Sequence, residues 1–169
     1  MKKRNGFVSN SSSTSFTFIF KGDTVQDLSK TIQKYGKCFD LEYMYWDDNC
    51  YSCNAQDVSE AIEAYIDDPK NMLNRHDKVS VILIDDYIEV IIKEIKESTG
   101  YRGYVDDLKK QLVKIQSAKK KGLTSVLNIE FGDNDGDISG GDLGYCMDYE
   151  GRYISIDKKD FIVYTEQNR

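Results

Sequence analysis

Two cysteines in the run Cys50-Tyr51-Ser52-Cys53 have a spacing that could support chemistry. Thiolates separated by two residues can share one zinc ion or form a redox-active pair. Zinc needs two further ligands, and the nearest are Cys38 and His76, but their spacings match no zinc finger. Redox pairs favour the start of a helix, and Asn54 is placed to begin one. The alternative is that these thiols are ordinary small apolar side chains.

A run of carboxylates in the C-terminal part of the chain is the second candidate site. Its members are Asp133, Asp135, Asp137 and Asp142. Oxygen ligands on alternate residues of a turn can converge on a hard cation, and residues 133–137 resemble the first five positions of an EF-hand calcium loop. The pattern then departs from that loop, because Ile138 stands where the turn needs glycine and Gly144 where a bidentate glutamate should close the site. The alternatives are a solvated loop between strands or an acidic contact surface.

The sequence offers few residues that could perform nucleophilic catalysis. His76 is the only histidine, and it lies in the charged run Asn74–Lys78, which is typical of an exposed loop. Pairs of adjacent aspartates recur, but neighbouring residues on a helix point apart, and most of these pairs lie where helix ends favour Asp. Gly140-Gly141 lacks the spacing and the following helix of a phosphate-binding loop. The sequence therefore favours a protein that is not an enzyme.

The N-terminal part of the chain is rich in hydroxyl side chains, in the run Arg4-Asn5-Gly6-Phe7-Val8-Ser9-Asn10-Ser11-Ser12-Ser13-Thr14-Ser15-Phe16. This run resembles the opening basic-x-Gly-Phe-Val-Ser-Asn-Ser-Ser-Ser-Ser-Ser-Phe of many uncharacterised phage and bacterial proteins, and it departs from that pattern at Thr14. Hydroxyls compete for backbone groups, so residues 1–15 are predicted to form a separate serine-rich segment, with a loop over 9–15. The candidate modification sites are Ser11, Ser12 and Ser13.

Composition predicts a single packed domain over residues 16–169. The 169 residues are 40% hydrophobic and include twelve Tyr and seven Phe, which is typical of a folded core. The basic start is not followed by an apolar stretch long enough for a signal peptide, and no stretch is long enough to span a membrane. The expected location is therefore the cytoplasm of a bacterial host cell, or a virion, with the cysteines as free thiols.

The net charge is −6, and the charged residues are distributed unevenly along the chain. Residues 1–99 carry 12 Lys and Arg against 17 Asp and Glu, residues 100–121 carry 7 against 2, and residues 122–169 carry 4 against 10. The lysines and tyrosines of the basic block could contact the phosphates and bases of a nucleic acid. Lysine is also the routine solvent-facing residue of an amphipathic helix, and a pI near 4.9 argues against a nucleic-acid partner.

The first part of the chain is predicted to alternate strands with helices. Phe16–Phe20 is aromatic and β-branched, and Phe39–Trp46 alternates loosely, so both are predicted strands. Asp23 or Thr24 is predicted to cap one helix and Asn54 the next. The buried stripes of these helices are Val25, Leu28, Ile32 and Tyr35, and Val58, Ala61, Ile62 and Tyr65.

The middle of the chain contains the most apolar run, Val79–Ile84, which is predicted to be a strand in the middle of a sheet with both faces covered. Asp85 is then expected to cap a third helix. A fourth helix is expected to end at Lys119–Gly122, where cationic side chains suit the partial negative charge of a helix C-terminus. The buried stripes are Ile88, Ile91, Ile92 and Ile95, and Val105, Leu108, Leu112 and Ile115.

The last part of the chain changes to short β-type runs. They are Ser125–Phe131, Gly144–Tyr149, Tyr153–Ile156 and Phe161–Thr165, with a tight turn at Glu150-Gly151. The predicted fold class is therefore α+β, an antiparallel or mixed sheet covered by three or four helices, with a C-terminal β-meander.

These patterns together predict a non-catalytic interaction protein that is acidic and, on the resemblance of its opening run, phage-encoded. It would inhibit a host protein during takeover or associate with the virion. The candidate contact residues for a host or virion protein are Asp133, Asp135, Asp137 and Asp142. Such a surface could also mimic nucleic acid in a basic cleft. The alternative is a metal-binding protein or a thiol-based enzyme, with Ca²⁺ at Asp133, Asp135 and Asp137 or Zn²⁺ at Cys50 and Cys53; no membrane partner is expected.

Overall fold

The structure is a computed structural model that describes residues 13–44, 50–67, 80–98, 102–131 and 154–168. The α-helices in these ranges are α1 (Val25–Lys34), α2 (Ala55–Asp67), α3 (Ile84–Glu97) and α4 (Arg102–Lys120), and a 3-10 helix spans Gly36–Cys38. The strands are β1 (Ser13–Phe20), β2 (Leu41–Met44), β3 (Cys50–Cys53), β4 (Ile82–Leu83), β5 (Ser125–Phe131), β6 (Ile156–Asp157) and β7 (Phe161–Asn168). None of the helices in the described ranges combines the length and the apolar character needed to cross a membrane.

The central feature of the fold is an antiparallel sheet of five strands in the order β4-β5-β1-β7-β6. β1 lies at its centre, where Phe18 pairs with Leu127 of β5 on one side and with Val163 of β7 on the other. β2 and β3 form a separate two-stranded ribbon, and β2 occupies the middle of the strand predicted over Phe39–Trp46. The predicted α+β class, with a sheet covered by helices, is therefore confirmed.

The sheet separates two cores, because successive side chains of a strand point to opposite faces. Helices α1 and α2 cover one face, which we call the α1/α2 face. Its core includes Phe16, Phe18, Phe20, Leu28, Ile32, Val58, Ile62, Leu127 and Val163. Helices α3 and α4 cover the other, the α3/α4 face. Its core includes Ile19, Ile84, Ile91, Leu108, Ile115 and Val126. The molecule is therefore built in three layers, with helices on both sides of the sheet.

The starts of α1 and α2 carry the predicted capping residues. Thr24 begins α1 with a capping box, in which its hydroxyl accepts a hydrogen bond from the Asp27 backbone N–H at 3.1 Å. The Asp27 carboxylate accepts one in return from the Thr24 backbone N–H at 3.3 Å. Asn54 caps the start of α2, since its Oδ1 accepts a hydrogen bond from the Gln56 backbone N–H at 2.7 Å. These contacts satisfy N–H groups that have no partner inside the helix.

The end of α4 is a Schellman motif around Gly122, which has a φ of 84°. The Gly122 N–H donates to the Lys119 carbonyl at 2.9 Å, and the Leu123 N–H donates to the Ala118 carbonyl at 3.2 Å. Ala118 and Leu123 are both buried in the core of the α3/α4 face, as this motif favours. The predicted end of the fourth helix is therefore confirmed, and the chain turns from there into β5.

The strand predicted over Val79–Ile84 is wrong in extent and in position. Among the described residues of this run, 80–84, Ile82–Leu83 forms the strand, and this β4 lies at the edge of the described sheet, with Leu83 52% exposed. Ile84 already belongs to α3, so the apolar run is shared between a short strand and the buried side of a helix. The predicted cap is also wrong, because Leu83 is the N-cap and Asp85 lies in the first turn.

The N-terminal boundary of the sheet differs from the predicted one, and the C-terminal part of the chain is described only in part. β1 begins at Ser13, so residues 13–15 belong to the sheet and not to the loop predicted over 9–15. In the last part of the chain, β6 and β7 form a hairpin, but β1 lies between β7 and β5. The β6–β7 hairpin is the part of the predicted meander that lies within the described residues. The run Gly144–Tyr149 and the turn at Glu150-Gly151 lie outside the described residues.

Candidate functional site

The predicted acidic contact residues, Asp133, Asp135, Asp137 and Asp142, lie outside the described residues, as do the modification candidates Ser11 and Ser12. The third modification candidate, Ser13, is the first residue of β1. The described strand that precedes the acidic run in the sequence is β5. β5 ends at Phe131, and Phe131 pairs with Thr14 near the start of β1. We call the end of the sheet at which β1 starts and β5 and β7 finish the acidic end, because Glu130 and Glu166 pair with Ser15 there.

The two cysteines predicted as metal ligands or redox partners are the first and last residues of β3, and Cys53 directly precedes Asn54, which caps α2. Cys53 is 8% exposed and belongs to the core of the α1/α2 face, together with Phe39 and Val58. Cys38 is exposed, while His76 lies outside the described residues. Within the ranges given above, no group of three or more His, Cys, Asp or Glu side chains could hold a metal ion. Cys53 thus packs as a small apolar core residue.

A row of polar side chains crosses the α3/α4 face of the sheet and is set by strand register. Thr17 in β1 pairs with Asn128 in β5 and with Tyr164 in β7. The Asn128 amide Nδ2 donates a hydrogen bond to the Thr17 hydroxyl over 2.8 Å. Thr17 is fully buried and Tyr164 is 7% exposed. An amide, a hydroxyl and a phenol therefore stand side by side, next to the apolar Ile19 of the same face.

A second row follows two residues closer to the acidic end. Ser15, which is buried, pairs with Glu130 in β5 and with Glu166 in β7. The two glutamates are separated by two strand spacings, or about 10 Å between backbones. The Lys114 ammonium of α4 lies over the Tyr164 ring of the first row, with its Nζ 4.4 Å from the ring centroid. We call the two rows together the polar band; its members are Ser15, Thr17, Asn128, Glu130, Tyr164 and Glu166.

A separate cluster of titratable groups joins the end of α1 to the turn between β6 and β7. The Lys34 ammonium and the Tyr35 hydroxyl both donate hydrogen bonds to the Asp160 carboxylate, and the Tyr35 ring stacks on Phe161 with 5.6 Å between ring centroids. The bond from Lys34, and after it the bond from Tyr35, lowers the pKa of Asp160 to about 2. The bonds to Asp160 raise the pKa of Lys34 and of Tyr35. Each group is held in its ordinary charge state at neutral pH, and this suits a structural contact better than proton transfer. We call this contact of Lys34, Tyr35 and Asp160 the clip.

Neutralising Asp160 tests the clip. Because its folded-state pKa of about 2 is below the ordinary 3.8, its contribution to stability is present above about pH 4 and is lost as the pH falls through about 2. Asp160→Asn should lower the free energy of unfolding by about 1 kcal/mol at pH 7, a value kept small because Lys34 is exposed to solvent. Urea unfolding at pH 7, 4 and 2.5 should show the two proteins converging in acid. Asp157→Asn, which removes an exposed ion pair with Lys121, is the control. A difference independent of pH would contradict the charge mechanism.

Four lysines of the basic block pair with carboxylates of the described chain. The pairs are Lys109–Asp106, Lys110–Asp107, Lys119–Asp85 and Lys121–Asp157. All of them are at the surface, where such a pair contributes about 0–1 kcal/mol. The main effect of these ion pairs is therefore on the electrostatic potential, because each carboxylate reduces the positive potential that a polyanion would meet at α4.

The polar band is the group of residues that the sequence patterns missed. The available signal was the alternation in β1, where Ser13, Ser15 and Thr17 interleave with Phe16, Phe18 and Phe20. The same alternation continues in β5 and β7, but only register brings the three strands together. Comparison of the chain with protein-family models, with curated proteins and with solved structures finds no match.

Proposed function

We propose that the protein is a non-catalytic, phage-encoded interaction protein that binds a basic surface of a host or virion protein through its acidic end. The observation that carries this proposal is the pairing of Glu130 and Glu166 with Ser15 at the end of the sheet where β5 finishes, two residues before Asp133 in the sequence. Glu130 and Glu166 are distant along the chain, and strand register brings both of them beside Ser15 at this end of the sheet.

The charge of this part of the chain supports the same proposal. Residues 122–169 carry 4 Lys and Arg against 10 Asp and Glu. A concentrated negative field steers a basic partner during encounter and selects against acidic proteins. It also makes binding sensitive to salt, since exposed charges are screened over about 8–10 Å near physiological ionic strength. A partner with a nucleic-acid-binding cleft would meet a comparable distribution of charge.

Neutralising the acidic run tests the proposal directly. The variant carries Asp133→Asn, Asp135→Asn, Asp137→Asn and Asp142→Asn, and it should lose its partners in a pull-down from a bacterial lysate, with capture reduced at least about tenfold. The matched control changes the same number of exposed carboxylates on α3 and α4, namely Asp85→Asn, Glu89→Gln, Asp106→Asn and Asp107→Asn, and should keep them. Capture of the same partners by both variants would remove the acidic run from the binding surface.

A further inference from the structure

Helix α3 carries a stripe of exposed residues on the side away from its buried isoleucines. The stripe consists of Leu83, Asp86, Val90, Lys93 and Glu97, all of them exposed. Residues three and four apart along a helix share one face, and Leu83 stands directly before the first turn. Leu83 and Val90 are each 52% exposed, although both are large apolar side chains. The stripe therefore combines apolar surface with charges of both signs along one line.

The charges of the stripe stand on either side of Val90. Asp86 lies one turn before it and Lys93 one turn after it, and neither forms an ion pair with another residue of the described ranges. Other carboxylates of α3 are engaged with α4, since Asp85 pairs with Lys119 and Glu94 accepts a hydrogen bond from the Tyr104 hydroxyl. From Asp86 to Lys93 the stripe thus presents negative, apolar and positive groups in that order, with Leu83 before them and Glu97 after them.

We propose that this stripe binds a second copy of the chain, with the two α3 helices antiparallel about a two-fold axis at Val90. A two-fold contact requires a surface that is complementary to itself. Reversal of one helix places Asp86 of each copy against Lys93 of the other and brings the two Val90 side chains together on the axis. A parallel arrangement would place Asp86 against Asp86, which repulsion disfavours. This contact surface is distinct from the acidic end.

The size of the contact makes the dimer weak. One pair of short helices buries less than the roughly 1,200 Å² at which stable interfaces begin, so we expect a dissociation constant of roughly 1 µM to 1 mM. Two of its contacts are exposed ion pairs, which salt screens. The dimer should therefore form at high protein concentration and dissociate when the ionic strength is raised.

Analytical ultracentrifugation of the full chain from about 1 µM to 1 mM tests the proposal. The parent protein should show a monomer–dimer equilibrium, and Val90→Asp should shift the dissociation constant upward at least about tenfold, because it places two carboxylates on the axis. Val113→Asp is the matched control, since Val113 is 65% exposed on α4 and outside the stripe. It should leave the equilibrium unchanged.

A charge exchange across the two-fold axis provides the second measurement. Asp86→Lys and Lys93→Asp should each weaken the dimer, and the double variant should restore it, because the exchanged pairs are again opposite in sign. Circular dichroism should show that every variant keeps its helix content. A parent that is monomeric at all concentrations, a double variant that stays dissociated, or equal effects of Val90→Asp and Val113→Asp would each overturn the proposal.

Discussion

Phe18→Ala is expected to lower the free energy of unfolding by about 3–5 kcal/mol. Phe18 is fully buried at the centre of β1, where it pairs with Leu127 and Val163 and lies in the core under α1 and α2. Removing the ring loses its burial and leaves a cavity that a sheet bonded on both sides cannot close. Because a domain is stable by about 5–15 kcal/mol, this one change removes a large part of the total. Urea unfolding followed by circular dichroism measures it.

Two further variants separate loss of packing from a general effect of mutation. Phe18→Leu keeps much of the apolar volume and should cost less than about half as much as Phe18→Ala. Val113→Ala removes methyl groups from a side chain that is 65% exposed, and it should change stability by less than about 0.5 kcal/mol. Equal costs for Phe18→Ala and Val113→Ala would show that β1 is not the centre of the core.

Gly22→Ala is expected to destabilise the protein by about 2–4 kcal/mol. Gly22 has a φ of 120°, which L-residues rarely adopt, and a Cβ at this position would overlap the Cβ of Asp27. Asp27 is fixed by the capping box of α1, so it cannot move away without loss of that cap. The Gly22 N–H also donates to the Thr124 hydroxyl at 3.0 Å, so displacement of this turn would disturb the approach to β5.

Two other glycines provide a graded comparison for thermal or urea unfolding. At Gly122, which has a φ of 84°, an added Cβ would meet no close neighbour, because the nearest atom is Lys21 Cε at 3.9 Å. Gly122→Ala therefore introduces only backbone strain and should lower the free energy of unfolding by about 1–2 kcal/mol. Gly36→Ala has no positive φ and an ordinary contact of 3.7 Å with the Ala55 Cβ, so it should change stability little. The expected order of cost is Gly22, Gly122 and Gly36. A cost at Gly36 equal to that at Gly22 would contradict the steric explanation.

The features that sequence predicts correctly here are local ones. Thr24 and Asn54 bond to backbone groups two or three residues away, and Gly122 closes its helix within one turn. Residue type and spacing contain all the information that such contacts need. The run Val79–Ile84 was mispredicted because apolar periodicity cannot distinguish a buried strand from the buried side of a helix that begins within the run.

The arrangement of the sheet and the polar band could not be predicted in the same way. Ser15 acquires Glu130 and Glu166 as neighbours only because β1 pairs with two strands made from the last part of the chain. Nothing near Ser15 in the sequence indicates that pairing, since strand order depends on the packing of whole elements. The clip at Asp160 is non-local too, because its donors, Lys34 and Tyr35, lie at the end of α1.

The central position of β1 has a consequence for how the protein is made. β1 leaves the ribosome first of all the described strands, while its neighbours β5 and β7 are translated far later. At about 5–20 residues per second, its aromatic side chains wait on the order of ten seconds for both partners. Until β5 and β7 have been translated β1 lacks both of its sheet neighbours, so we expect its aromatic side chains to need protection from aggregation during translation.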